Sequence, residues 1–263
     1  MNNEIWKTHT VDSEKGELHV QIDTLHIWLK RKNDEFWVAS SNETEGEDLN
    51  KPVDELPADK IKWTRYAKES STSEVDIKPV FPNLPVIISS EYPLKIAAGS
   101  KIHIYTRVPV WAQIKLKKEE YILTEIPSRK LNRTWFGNPV EGELCYWQST
   151  RARRNLTDLN NSVSLINCPI TIINKTHEEL NFEKFCFRVD RLSIFDANDE
   201  LWADQTVIEY HGEEQNSDIS MTGKLPASMG TGTLLSKPRN PIPNSFATRT
   251  FKKLFDDTFI SAK

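Results

Sequence analysis

The chain has 263 residues, of which 38% are hydrophobic and 10% aromatic, so it can bury a sizeable core in one large domain or two small ones. A formal net charge of −4 argues weakly against a nucleic-acid partner, because such partners select basic surfaces. The apolar runs are far shorter than the ~20 residues that span a bilayer, and the first residues show no signal pattern. These features predict a cytoplasmic protein with at most indirect membrane contact.

The cysteines are Cys145, Cys168 and Cys186, an odd number at wide spacing. Zinc sites usually repeat cysteines at short intervals, and disulfide frameworks usually need an even number. The pattern therefore favours reduced and mostly buried thiols. We expect neither a metal ion nor another cofactor.

Alternation of apolar and polar residues at a period of two dominates the chain and is typical of half-buried β-strands. A first β lobe is predicted at 1–78, interrupted by an acidic loop at 41–59, and a central β region follows at 79–212. The strands are predicted at 18–22, 25–29, 36–38, 61–63, 86–88, 101–107, 110–116, 142–147, 170–173, 185–189, 192–195 and 206–210. This pattern predicts an all-β fold of two packed β-sandwich-like lobes, with less than roughly a fifth helix against the ~30% typical of soluble domains.

The texture of the chain changes after Tyr210. Residues 213–243 are rich in glycine, proline and polar side chains, which predicts an extended linker. Residues 244–263 are predicted to form a short amphipathic helix, because four apolar residues recur at helical spacing. A lone helix of this size is marginal in water, so its stripe should dock on the β body, on a second copy or another protein, or on a membrane surface. The stripe consists of Phe251, Leu254, Phe255 and Phe259.

The segment 134–154 is unusually dense in Trp, Gly, Glu and Arg, and it is the best candidate for a ligand site. Alternation places Glu143, Cys145 and Trp147 on one face of a strand. A carboxylate with such neighbours would be partly desolvated, so we expect Glu143 to contact Arg133 or Arg151. The simpler alternative is a structural ion pair beneath a loop. The candidate ligand-binding residues are Arg133, Trp135, Glu143, Trp147, Arg151 and Arg153.

The aromatic residues allow a second class of function. Trp135 and Phe136 precede a turn and are expected to be buried, as large aromatic residues usually are. Three other tryptophans in the first lobe would form a carbohydrate-binding platform if they were exposed: Trp28, Trp37 and Trp63. No metal-ligand spacing, phosphate-binding loop or nucleophile motif occurs, so no catalytic residue is assigned. A carboxylate-dependent hydrolase that uses Glu143 stays open as the enzymatic alternative.

The chain carries a set of short motifs at 109–111, 123–128, 134–137, 142–146, 150–153, 168–170, Asn174, 192–195 and 201–202. Together they resemble an uncharacterised domain-of-unknown-function family of bacteria and archaea. The resemblance covers roughly residues 80–208 and implies a loose association with small-conductance mechanosensitive channels, but it brings no established catalytic residues. We predict a non-catalytic binding or regulatory module of unknown ligand, with a protein partner or a second copy held through the C-terminal helix.

Overall fold

The structure is a computed structural model, and strands account for 58% of it and helices for 4%. This composition confirms the predicted all-β class. Among the described residues, no helix is long and apolar enough to cross a membrane. The structure describes residues 2–11, 17–32, 35–43, 48–51, 55–56, 61–67, 72–140, 142–155, 162–212, 215–241, 245–248 and 251–252.

The elements follow one another as short strands with very little helix. The helix α1 spans Asn2–Ile5, and two 3-10 helices span Val189–Arg191 and Ala227–Met229. The strands are β1 (Thr8–Thr10), β2 (Leu18–Ile22), β3 (Leu25–Lys32), β4 (Glu35–Asn42), β5 (Thr64–Tyr66), β6 (Glu74–Val80), β7 (Val86–Ile96), β8 (Lys101–Pro109), β9 (Trp111–Leu116), β10 (Ile122–Pro127), β11 (Asn132–Phe136), β12 (Glu143–Ala152), β13 (Leu165–Asn174), β14 (Leu180–Phe187), β15 (Ile194–Ala197), β16 (Glu200–Ala203), β17 (Thr206–Tyr210), β18 (Ser217–Met221), β19 (Thr233–Ser236), β20 (Ser245–Thr248) and β21 (Phe251–Lys252).

The chain divides into two compact units, and each unit is built from several stretches of sequence. The chain first passes from unit 1 to unit 2 after Val80, close to the boundary predicted at 78. It then returns to unit 1 for β9 and β10. A return of this kind depends on pairing between distant strands, so local composition does not reveal it. Unit 1 comprises 1–80, 109–130 and 162–164, and unit 2 comprises 81–108, 131–161 and 165–263.

Unit 1 contains two four-stranded antiparallel sheets, ordered β1-β6-β9-β10 and β2-β3-β4-β5. The strand predicted at 61–63 is wrong, because the strand begins only at Thr64. Ile61 and Trp63 instead pack against a buried cluster that includes Trp28 and Leu49. Apolar residues outside a strand can therefore also be stabilised by burial, and an apolar run alone does not identify a strand.

Unit 2 contains a five-stranded and an eight-stranded sheet. The five-stranded sheet has the order β11-β12-β7-β14-β21, in which β12 runs parallel to β7 and the other pairs are antiparallel. In the eight-stranded sheet, β13 lies parallel to both β16 and β17 and also pairs with β8. Almost every residue of β13 is buried, as expected for a central strand with parallel neighbours. The stacking of the sheets into sandwiches stays a prediction.

The predicted C-terminal helix at 244–263 is wrong over the residues that the structure describes there. β20 pairs with β18 and β21 pairs with β14, so the stretch that should begin the helix is extended. A segment that pairs with an open sheet edge satisfies its backbone hydrogen bonds there, whereas a short lone helix has no tertiary support. Phe251 lies opposite Phe185 in the strand register. Leu254, Phe255 and Phe259 lie outside the described residues.

The stretch 213–243, predicted to be an extended linker, carries paired strands as well. β18 pairs with β17, and β19 pairs with β15. Leu234 of β19 keeps a side chain that is 47% exposed, which fits an edge strand. Glycine and proline in this stretch therefore indicate turns between short strands as much as a linker.

Candidate ligand-binding site

The five-stranded sheet of unit 2 has two chemically different faces. Phe185 pairs with Ile88 and Phe187 pairs with Val86, and each of these four side chains is at most 2% exposed. They form the apolar face. Because successive residues of a strand point to opposite sides and directly paired residues share a side, the intervening positions form a second face, the polar face. Its residues are Ile87, Ser89, Trp147, Arg151, Lys184 and Cys186.

A pocket of about 320 Å³ opens where the pairing of β7 with both of its neighbours is interrupted. β12 shifts register against β7 between Trp147 and Arg151, and β14 shifts between Phe182 and Lys184. On the β14 side, residues 90–93 of β7 have no partner in the register. Such irregularities re-aim side chains and are common beside functional sites. The pocket is lined by Ser89, Ser90, Pro93, Trp147, Gln148, Arg151 and Lys184.

Two cations, Arg151 and Lys184, line the pocket. Arg151 donates to the backbone oxygen of Glu91 at 3.3 Å, and neither Arg151 nor Lys184 pairs with a carboxylate among the described residues. The nearby Arg153 differs, because it forms an ion pair with the Glu91 carboxylate at 3.2 Å. Uncompensated positive charge in a concave surface attracts anions.

The same pocket offers an exposed aromatic ring. The Trp147 side chain is 45% exposed, so its ring can stack on a planar group. Gln148 lines the pocket as well, and its amide nitrogen donates to the Arg107 carbonyl oxygen at 2.9 Å.

A second polar cluster on the five-stranded sheet joins Glu143 and Cys145 of β12 to Cys186 of β14. The two sulfur atoms lie 3.8 Å apart, and the Cys186 sulfur lies 3.6 Å from Glu143 Oε1. Arg188, directly after β14, donates to the same carboxylate oxygen. Ile87 and Phe136 pack with the two buried cysteines, so an apolar shell surrounds the thiols.

The thiols of this cluster differ in acidity. The hydrogen bond with the Cys186 thiol lowers the pKa of Cys145, although burial of Cys145 acts in the opposite direction. The same contact and burial raise the pKa of Cys186. Burial also raises the pKa of Cys168, which lies on β13 and donates to the Ile166 carbonyl oxygen at 3.5 Å. Cys145 is therefore the more acidic thiol of the pair.

The predicted arginine contact of Glu143 exists, but the predicted partner is wrong. Glu143 pairs with Arg188, whereas Arg151 reaches Glu91 and Arg133 is exposed on β11 opposite Tyr146. Sequence proximity misleads here because β12 and β14 both pair with β7, and this brings the end of β14 to the start of β12. The structure thus brings Trp147 and Arg151 together in the pocket and places Glu143 in the thiol cluster.

The expected burial of the Trp135–Phe136 pair is correct only for Phe136. Trp135 is 52% exposed and donates to the Asn138 carbonyl oxygen at 3.0 Å, while Phe136 is buried. Trp135 pairs with Leu144, so its ring lies on the side of the sheet opposite to Trp147.

The three tryptophans considered for a carbohydrate platform do not form a flat exposed surface. Trp28 is a core residue. Trp63 is covered by the Lys30 ammonium group, 3.7 Å from its ring centre, and Trp37 lies near Lys30 and Arg65. Cations above these rings occupy the faces on which a sugar would stack.

Sequence reasoning missed several residues of both clusters. Ser89 and Lys184 line the pocket, and Arg188 and Cys186 complete the second cluster. The available signal was the alternation in β14, where Lys184 and Cys186 share one side while Phe185 and Phe187 share the other. This alternation could assign each residue to one side of the strand, but it could not predict which strands lie beside β14.

The fold and the site define an all-β protein with a candidate binding face on one sheet. The chain belongs to the family described as protein of unknown function (DUF432), whose model matches residues 5–256. The match confirms the predicted membership of an uncharacterised family and extends beyond the region of the sequence resemblance at both ends. Comparisons with curated proteins and with solved structures found no match. The association with mechanosensitive channels stays an expectation.

Proposed function

We propose that the protein is a non-catalytic binding or regulatory module whose pocket on the polar face takes a small anion with a flat ring, the chemistry of a nucleoside monophosphate. The observation that carries this proposal is that one pocket holds the exposed Trp147 ring together with Arg151 and Lys184, two cations that form no ion pair with the carboxylates whose side chains the structure describes. The cations suit a phosphate or carboxylate, and the ring suits a base or another planar group. A pocket of about 320 Å³ is at the scale of small-ligand sites.

The two alternative functions have less support. A hydrolase would need Glu143 in an open cleft beside a second carboxylate, but Glu143 is paired with Arg188. A carbohydrate platform would need flat exposed rings, and Trp28 is buried. A cytoplasmic location remains part of the proposal, supported by the three cysteines, which are free and buried thiols.

Isothermal titration calorimetry with four ligands tests the proposal. Adenosine monophosphate carries both the charge and the ring, inorganic phosphate carries only the charge, adenosine carries only the ring, and maltose represents a neutral sugar. We expect the monophosphate to bind tightest and maltose not to bind. Loss of one charge-assisted contact should weaken monophosphate binding roughly tenfold or more in Arg151→Ala and in Lys184→Ala.

Lys101→Ala is the matched control, because Lys101 is an exposed lysine of the same unit that does not line the pocket. Its affinity for the monophosphate should equal that of the unmodified protein. Tighter binding of maltose than of the monophosphate would favour the carbohydrate alternative, and equal loss in all three variants would reject the pocket as the binding site.

A further inference from the structure

The thiol cluster of the five-stranded sheet has the composition of a metal site. The carboxylate of Glu143 and the sulfur atoms of Cys145 and Cys186 offer three ligand atoms that all lie within 4.8 Å of one another. Thiolate and carboxylate ligands together suit a divalent ion such as Zn²⁺. The third cysteine, Cys168, lies on β13 of the other sheet and is not part of this group.

Two of the three ligand–ligand distances within the cluster match those expected around one tetrahedral ion, and the third, from the Cys145 sulfur to the Glu143 carboxylate, lies within 4.8 Å. With metal–sulfur bonds of about 2.3 Å and metal–oxygen bonds of about 2.0 Å, tetrahedral angles place two sulfurs about 3.8 Å apart and a sulfur and an oxygen about 3.5 Å apart. The observed separations are 3.8 Å between the sulfurs and 3.6 Å between the Cys186 sulfur and Glu143 Oε1. Binding would therefore require little movement of Cys186 relative to either of the other two ligands.

A disulfide between the same cysteines fits the sheet less well. β7 lies between β12 and β14, so the Cα atoms of Cys145 and Cys186 are separated by two strand spacings. That separation is roughly 9–10 Å, beyond the ~7 Å that a disulfide can bridge without backbone movement. An ion between the sulfurs spans the gap at the distance already present.

Charge balance is compatible with a divalent ion once both thiols have released their protons. Two thiolates and one carboxylate carry three negative charges, while the Arg188 guanidinium carries one positive charge and contacts Glu143. A divalent cation makes the buried group neutral, which avoids the large cost of an uncompensated charge in an apolar shell. Arg188 then acts as the outer partner that orients the ligating carboxylate. Glu143 has a side chain that is 36% exposed, which leaves access for water as a fourth ligand.

We propose that Glu143, Cys145 and Cys186 form a three-ligand site for Zn²⁺, with Arg188 as the residue that positions the Glu143 carboxylate. This site is distinct in its lining residues from the anion pocket. On binding, the two thiols each release one proton to solvent, and two sulfur–metal bonds and one oxygen–metal bond form without any change in oxidation state.

Native mass spectrometry of the full chain, stripped with a chelator and then given Zn²⁺, tests the site. We expect one Zn²⁺ per chain, and with Co²⁺ as the probe we expect the thiolate charge-transfer and tetrahedral ligand-field bands. Cys145→Ser and Cys186→Ser should each weaken Zn²⁺ binding by at least about tenfold. Cys168→Ser is the matched control and should keep the unmodified affinity.

Thermal unfolding of the same proteins, with and without Zn²⁺, gives a second readout. Zn²⁺ should raise the melting temperature of the unmodified protein and of Cys168→Ser by mass action, but not that of the two ligand variants. Comparison of the variants in chelator checks that each one folds. Absence of stoichiometric Zn²⁺ in the unmodified protein, or unchanged affinity in both ligand variants, would overturn the proposal, as would a Cys145–Cys186 disulfide that forms readily in air.

Discussion

The apolar and polar faces of the five-stranded sheet are built from neighbouring residues of the same strands, yet they serve different purposes. Phe185 and Phe187 are almost fully buried, while Lys184, which precedes them and lines the pocket, is exposed, and Cys186, which lies between them in sequence, joins the thiol cluster. One side of β14 therefore contributes mainly apolar burial, and the other side contributes charge and metal-ligand chemistry. The comparison teaches that a strand can carry a site without weakening its core, because alternation separates the two sets of side chains.

The largest effect should follow from a change on the apolar face. Phe185→Ala removes a fully buried ring and should lower the free energy of unfolding by about 3–5 kcal/mol. Lys184→Ala, one residue away on the polar face, should change it by less than about 0.5 kcal/mol. Urea unfolding of both variants measures the difference. Similar losses in the two variants would contradict the division of the sheet into two faces.

An intermediate effect should follow from Glu143→Gln. Arg188 is only 10% exposed and would lose its carboxylate partner, but solvent around the partly exposed Glu143 screens the pair. We expect a loss of about 1–3 kcal/mol, between the values for exposed and buried ion pairs. The measurement is urea unfolding in the presence of a chelator, so that metal binding does not contribute.

Glu179→Gln is the control for that substitution, because Glu179 forms an exposed ion pair with Lys95 in the same unit. It should cost between zero and about 1 kcal/mol. A double-mutant cycle of Glu143 with Arg188 should show coupling, and independent effects of the two substitutions would reject the pair as a stabilising contact.

A smaller effect on stability is expected in unit 1, where the polar side chain of His26 is buried among core residues and not on a polar face of its own. Burial lowers the pKa of His26. The carboxylates of Glu43 and Asp48 oppose this shift, and Glu43 Oε1 lies 3.4 Å from His26 Nε2. The unfolded chain then binds protons more readily than the fold, so His26 lowers stability as the pH falls below the ordinary histidine pKa of about 6.5. The protein should unfold more easily at pH 5.5 than at pH 7.5, and His26→Gln should reduce that difference. An unchanged pH dependence in the variant would reject this role for His26.

Much of the fold could be predicted from the sequence, because alternation reports burial directly. The strands around Val20, Ile27 and Ile172 follow from local pattern alone. The predicted C-terminal helix was wrong because the apolar spacing was considered for that segment alone. In the structure, strands of the segment pair with β14 and β18. Helical periodicity over a few residues is too weak to outweigh such tertiary contacts.

The candidate site was only half predictable for a related reason. Trp147 and Arg151 are close in sequence and flank the register shift of β12, so a local search found them. Arg188 and Lys184 reach the site through the pairing of β14 with β7, which no local pattern specifies. The separation of Cys145 from Cys186 also hid the thiol cluster, since its members meet across an intervening strand.

Hydrogen–deuterium exchange of the full chain, with and without adenosine monophosphate, tests the central claim that the polar face is the binding surface. We predict slower exchange in the peptides that cover residues 86–93 and 143–152, which contain pocket residues of β7 and β12. Exchange in β2 to β5 of unit 1 should stay unchanged. Slowing confined to unit 1, or no change anywhere at a saturating ligand concentration, would contradict the claim.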